Sequence, residues 1–180
     1  MNIFVLSNDV NECAEWAVDR HVVKMILEYS QLLSTAHRVL DGTEYTDKTA
    51  SGRNVKRWRL SDHRQSVLYS ATHINHPCAV WTRESNNNYN WLYCLLDAYL
   101  KEYTHRYGKI HKIQRDGLFD MLSTLPDNIP IGYKTSCPEA MPDEYKDSKS
   151  VVKSYRNYYK FGKKHLHKYT KRQPPQWLYG

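Results

Sequence analysis

The sequence predicts a mainly α fold: a compact single-domain helical bundle with three principal helices. Three observations point there. Apolar residues recur at helical spacing in three long stretches, capping and stopping residues bound those stretches, and no alternating apolar–polar run is long enough to build a sheet. A chain of 180 residues is long enough to bury a sizeable core in one domain spanning residues 1–180.

The chain opens on a short strand or extended segment, Asn2 to Leu6. Asp9 with Glu12 matches a capping box and starts the first long helix near Val10; it runs to about Leu40, where Asp41-Gly42 ends it. With 100° per residue and His21 at zero, Val22, Met25, Ile26, Tyr29, Leu32, Leu33 and Ala36 fall within about 20° to 140°, which is a core face. Lys24, Glu28, Gln31 and Thr35 fall within about 280° to 340°. Imidazole, ammonium and carboxylate therefore share an edge between buried and wet, where pKa values shift. Taken as a bare helix pair, Lys24 and Glu28 are worth only about 0.2–0.5 kcal/mol, in the less favourable order of charges.

Residues 41–60 are polar and rich in turn formers, so they read as a loop. A modest helix follows at about Ser61–Ser70, and His76 caps or packs at the start of a short helix from Pro77 to Arg83. Ser85 caps the second long helix, Asn86 to Tyr107. Along it Tyr89, Leu92, Leu95, Leu96, Tyr99, Leu100 and Tyr103 keep helical spacing, and Gly108 stops it. Trp81 and Trp91 read as core. A short helix at Gln114–Ser123 precedes a surface loop bearing Pro126, Pro130, Pro138 and Pro142. Asp143 and Glu144 are placed to cap the last helix, about Ser148 to Tyr169, interrupted at Gly162; the tail RQPPQWLYG reads as extended.

Four cysteines lie far apart with no CxxC pair, which favours reduced, buried thiols; HExxH is absent, and neither a metal site nor a cofactor is expected. The N-terminal residues lack a basic region and cleavage site, and no apolar run approaches a membrane span, so the expectation is a soluble, cytoplasmic protein without a membrane partner. Net charge is +7, yet residues 145–172 alone carry ten Lys or Arg against one acid. Arg53, Lys56, Arg57 and Arg59 form a second basic patch beside Trp58. In the C-terminal patch Arg156, Lys160, Lys163 and Lys164 interleave with Tyr155, Tyr158, Tyr159 and Phe161. Cations neutralise phosphates and flat rings stack on exposed bases, so a polyanion is the expected partner.

The stripe on the first helix permits a definite chemistry. An uncharged amine can attack C1′ of a deoxyribose, displacing the base and leaving an imine. Lys24 would need its pKa depressed from about 10.4, whereas a chain α-amine starts near about 7.7–8.0. Glu28 could stabilise the cationic sugar or move protons, with His21 as acid or base.

Asp19-Arg20-His21 followed seven residues after the His by Glu28 resembles the first helix of the phage pyrimidine-dimer DNA glycosylases. These small α-helical enzymes flip a nucleotide, attack C1′ with the N-terminal α-amine and cleave the abasic strand. Asn75-His76-Pro77 with Val80-Trp81, the helix ending Arg106-Tyr107-Gly108, and Gln173-Pro174-Pro175-Gln176-Trp177 with Tyr179-Gly180 are similar to further segments of that family. The resemblance implies a glycosylase-like fold acting on double-stranded DNA with an extruded base, with no obligatory protein partner, in the cytoplasm of the host if the chain is phage-encoded. Glu28 would be the essential carboxylate, His21 and Lys24 its neighbours, and the amine of Met1 or Lys24 the nucleophile. Asn2 is bulky enough that Met1 is expected to stay. Leu27 and Gln31 stand where the family has basic residues, which moves phosphate binding to Arg83, Lys109 or the C-terminal helix; Arg53 and Arg57 of the first basic patch are further nucleic-acid-binding candidates. Two other readings stay open: a transferase that hypermodifies pyrimidines on the same fold, and a non-catalytic nucleic-acid-binding or host-interaction protein.

Overall fold

The computed structural model describes all 180 residues, 51% of them helical and 7% in strands. The elements are α1 (Val10–Glu15), α2 (Asp19–Asp41), β1 (Thr43–Lys48), β2 (Asn54–Arg59), α3 (Arg64–Val67), α4 (Pro77–Glu84), α5 (Asn86–Tyr107), α6 (Lys112–Arg115), α7 (Leu118–Met121) and α8 (Val151–Asn157). A π turn, Tyr158–Gly162, continues α8, and 3-10 turns occupy Asp143–Tyr145, Lys164–Leu166 and Gln176–Leu178. No helix is long and apolar enough to cross a membrane.

The mainly α character holds, with two long helices rather than three. The expected first helix is split at Trp16–Val18: the Asp19 N–H donates to the Lys168 carbonyl at 2.8 Å instead of continuing the turn, and α2 begins there. Asp9 caps α1 through the Asn11 N–H, but Glu12 turns to the Ser7 hydroxyl, so only half of the capping box forms. The polar stretch 41–60 is an antiparallel hairpin, not a loop, with Thr43 opposite Arg59 and Lys48 opposite Asn54. Its strands lack alternation because β1 is exposed throughout. Gly117, at φ 76°, divides the helix expected at Gln114–Ser123 into α6 and α7. The last helix is capped by Ser150 rather than by Asp143 or Glu144, and the tail closes in a 3-10 turn rather than running extended. His76 and Ser85 cap α4 and α5 as their positions suggest. Cys13, Cys78 and Cys137 are buried and outside any disulfide, whereas Cys94 is exposed.

The residues form two compact units: Met1–Tyr29, Cys94–His111 and Thr135–Gly180 make the first, Ser30–Tyr93 and Lys112–Lys134 the second. The first half of α2 and the second half of α5 belong to the first unit. Its core holds Ile3, Leu6, Val22, Met25, Ile26, Tyr29, Leu95, Leu96, Tyr99, Tyr155 and Tyr159. Each such side chain contributes roughly 1.5–3 kcal/mol by leaving water. Arg106 is buried among acceptors: Glu102 at 2.6 Å, Asp19 at 2.9 Å and the Glu15 carbonyl at 2.9 Å. Asp19 also accepts from the Thr170 N–H and hydroxyl, tying the C-terminal tail to the start of α2. Burial alone would raise the Asp19 carboxyl, but those hydrogen bonds outweigh it and hold it below its usual value.

The second unit is organised by two arginines. Arg38 donates to the carbonyls of Trp58, Gln65, Leu68 and Tyr69, fixing the hairpin's far strand and the segment around α3. Arg64 pairs with Asp41, Asp62 and Asp127 and donates to His37 Nδ1 at 3.1 Å. Nε2 of that imidazole lies 2.8 Å from the Tyr89 hydroxyl, which donates onward to the Leu122 carbonyl. Both ring nitrogens are thus engaged in a neutral tautomer, and burial pushes the His37 pKa down to about 4.

Candidate functional site

In the first unit the extended segment at Asn2–Leu6 lies against α2. Phe4 stacks on the His21 ring with centroids 4.3 Å apart, its N–H donates to the Tyr29 hydroxyl, and the Leu6 carbonyl accepts from Arg156 Nε at 2.8 Å. Asn2 is fixed on three sides. Its side-chain amide donates to the Ala140 carbonyl at 2.8 Å, its Oδ1 lies 2.7 Å from the Tyr155 hydroxyl, and its backbone N–H donates to Glu28 Oε2 at 3.2 Å. The other Glu28 oxygen meets Lys24 Nζ at 3.1 Å. Glu28 is 14% exposed and Lys24 61%, so a shielded carboxylate stands between the amino end of the chain and a wet ammonium. Helical phase accounts for this: Lys24 and Glu28 are one turn apart at the rim of a stripe whose other side is core.

His21 shares the stripe but has a different setting. It is buried, with Nδ1 2.5 Å from the Tyr159 hydroxyl and its ring packed between Phe4 and Tyr159. Burial, then the positive charges of Lys163, Lys24 and Arg20, bring its pKa down to about 3. At neutral pH it is an uncharged packing and hydrogen-bonding group, with no proton to give as an imidazolium. Glu28, Lys24 and the Met1–Asn2 end are brought together; His21 lies one layer beneath them.

The basic residues are used unequally. Arg156 is spent on the Leu6 carbonyl, with its guanidinium over both Trp16 and Trp177 at 5.2 and 5.3 Å. Lys160 bonds the Gly180 carbonyl, Lys163 lies 4.7 Å over the Tyr158 ring, and Lys164 borders a cavity of about 350 Å³ with Phe161, His167, Tyr169 and Leu178. Neither Lys163 nor Lys164 has an ion-pair partner. Lys109 is exposed just beyond α5. In the second unit Arg53 is exposed in the hairpin turn, Arg57 stands 4.0 Å from Asp47, and Arg83 folds back to the Ala79 carbonyl of its own helix at 2.8 Å.

Sequence reasoning missed Asn2 and Tyr155 as the groups that hold the amino end. Tyr155 reads in the sequence as one of the rings interleaved with the C-terminal cations, but it is buried, and its hydroxyl bond to Asn2 spans 153 residues. No three His, Cys, Asp or Glu are grouped to hold a metal ion. Chemically, the arrangement offers a carboxylate, held by the backbone amide of the second residue, that can move a proton or stabilise a developing cation. Comparison of the chain with protein families, curated proteins and solved structures returns no match.

Proposed function

We propose that the protein is a DNA N-glycosylase that extrudes a nucleotide, attacks its glycosidic carbon and forms an imine from which strand cleavage can follow. One observation carries this reading: the carboxylate of Glu28 accepts the N–H of Asn2, one peptide bond from the α-amine of Met1. An α-amine is intrinsically less basic than a lysine side chain, so a larger fraction of it is uncharged and nucleophilic at neutral pH. In the ion pair with Glu28, Lys24 is the cation, so we assign the nucleophile to Met1 and a charge-balancing role to Lys24.

The amine lone pair forms a bond to C1′ while the C1′–base bond breaks, the base leaving with the electron pair and acquiring a proton. Glu28 stabilises the positive charge that spreads over the sugar, takes the proton lost from nitrogen and returns it to the ring oxygen, which leaves C1′ with its electron pair as the imine forms. The net charge of +7 and the unpaired Lys163 and Lys164 supply phosphate contacts. Borohydride added during reaction with damaged or modified duplexes should trap a protein–DNA adduct, and Glu28→Gln should lower base release by about 10²–10⁴-fold. Lys24→Gln should still be trapped; acetylating the α-amine should abolish trapping. Base release without trapping would mean water activated by Glu28, and an enlarged nucleoside in mass spectrometry would mean a transferase. DNA binding untouched by Glu28→Gln, with no product of either kind, would leave a non-catalytic binder.

A further inference from the structure

In the second unit the loop Pro130–Lys134 presents two side chains almost wholly to solvent: Ile131 and Tyr133, each 93% exposed. The loop that carries them is clamped. The Asn86 N–H donates to the Pro130 carbonyl at 2.8 Å, and the Asn86 side chain accepts the Gly132 N–H at 3.0 Å. The Asn87 amide donates to the Gly132 carbonyl at 2.5 Å and the Ser85 hydroxyl to the Tyr133 carbonyl at 3.2 Å. Gly132 is what lets the loop lie so close: a Cβ there would stand 3.3 Å from Ser85 Cβ. Three consecutive residues at the start of α5 thus hold the loop's backbone, and Ile131 and Tyr133, two apart, are presented on it at no further ordering cost.

Shape and charge narrow the occupant. Two projecting side chains make a tip rather than the patch of roughly 800 Å² that a stable protein partner covers. Between Asn128 and Pro138 the chain has no acid and one base, Lys134, whose ammonium lies 5.0 Å over the Trp91 ring. A narrow apolar tip with an aromatic ring, flanked by a cation, matches a slot with flat π walls and anionic rims. An opened base step is such a slot.

We propose that Ile131 and Tyr133 form a wedge that enters a DNA base step and unstacks it. The proposal rests on the DNA reading above, and it explains what would hold a duplex open while a nucleotide is extruded. The test uses the full protein and a duplex carrying 2-aminopurine, whose fluorescence rises on unstacking. Wild type and Glu28→Gln should both brighten the probe. Ile131→Ala/Tyr133→Ala should not, and Tyr133→Ala should weaken binding by about 5- to 150-fold, the range for losing one stacking side chain. Tyr133→Trp should restore both signals, and the salt dependence of binding should be the same in every variant, since the cations that meet phosphate are untouched. Equal brightening by the double variant, or wild-type binding without brightening, would overturn the wedge and leave the DNA reading standing. No binding of wild type to any duplex would overturn both. A wild-type dimer in sedimentation that the double variant dissolves would assign the tip to a second copy of the chain instead.

Discussion

The two basic segments look alike in composition and differ in use. In the hairpin, Lys56 pairs with Glu44 at 2.9 Å, Arg57 stands near Asp47, and Arg59 lies over Tyr45, all at the surface. In the C-terminal segment Arg156 is anchored to Leu6, Lys153 pairs with Asp147, and Arg172 with Glu102 and Glu15; Lys163 and Lys164 are left without counter-charges. A count of cations therefore overstates what either segment offers to phosphate. In the hairpin Lys56 and Arg57 face acids of the opposite strand, and in the C-terminal segment Lys146, Lys153 and Arg172 have acid partners while Arg156 is held by a carbonyl and two rings. Which cations stay unpaired is something that composition cannot pick out.

Acid should separate the two segments most strongly. His21 lies beneath the C-terminal segment with its pKa lowered to about 3, and His37 in the second unit is lowered to about 4. An unfolded histidine titrates near about 6.5, so below that pH the unfolded chain binds more protons than the folded one. Stability from these groups is complete above about pH 6.5 and declines towards pH 3, with His21 alone losing on the order of 3 kcal/mol by pH 4. Urea melts from pH 7 to 4 should show this. Lys163→Gln should soften the slope by removing a positive charge facing His21, whereas Arg57→Gln should leave it unchanged.

Arg156→Ala should cost about 2–4 kcal/mol, the sum of a charge-assisted hydrogen bond and two ring contacts. Arg172→Ala should cost less, about 1–2 kcal/mol, because Glu102 keeps Arg106 as a partner. Denaturant titration checks both. Replacing Lys163 and Lys164 by Gln should hardly alter stability but should reduce the salt slope of DNA binding by about 0.9 for each phosphate that is no longer neutralised. Arg57→Ala should stay within about 0.5 kcal/mol of wild type, as exposed pairs do. A large loss there would mean that the hairpin is as structural as the tail.

How much could be read in the chain follows the same physical division. α2 and α5 were legible because one face of each is buried at helical period, and Ser85, His76 and Gly108 mark ends by local chemistry alone. Glu28 and Lys24 were legible for the same reason: their place on the rim is fixed by the helix that carries them. The hairpin was not, since a ribbon exposed on β1 throughout leaves no alternation to detect, although Thr43, Tyr45, Thr46, Val55 and Trp58 favour strands. The arginine centres at 38, 64 and 106 were also hidden. Their partners lie up to 92 residues away, and nothing in local spacing marks an arginine that will be buried. The contact between Asn2 and Glu28 belongs to this class. Sequence phase could supply the carboxylate but not its neighbour.

The turn at Tyr158–Gly162 is wider than the helical turns before it. It closes through the Lys163 N–H to the Tyr158 carbonyl, five residues back rather than four. The added residue widens the last turn just before the helix ends at Gly162. Tyr155 and Tyr159 remain in the core while Lys163 lies over the Tyr158 face. Deleting one residue from this turn should move Lys163 off the Tyr158 ring and shorten the reach of the chain to Asp19, where Thr170 latches the tail.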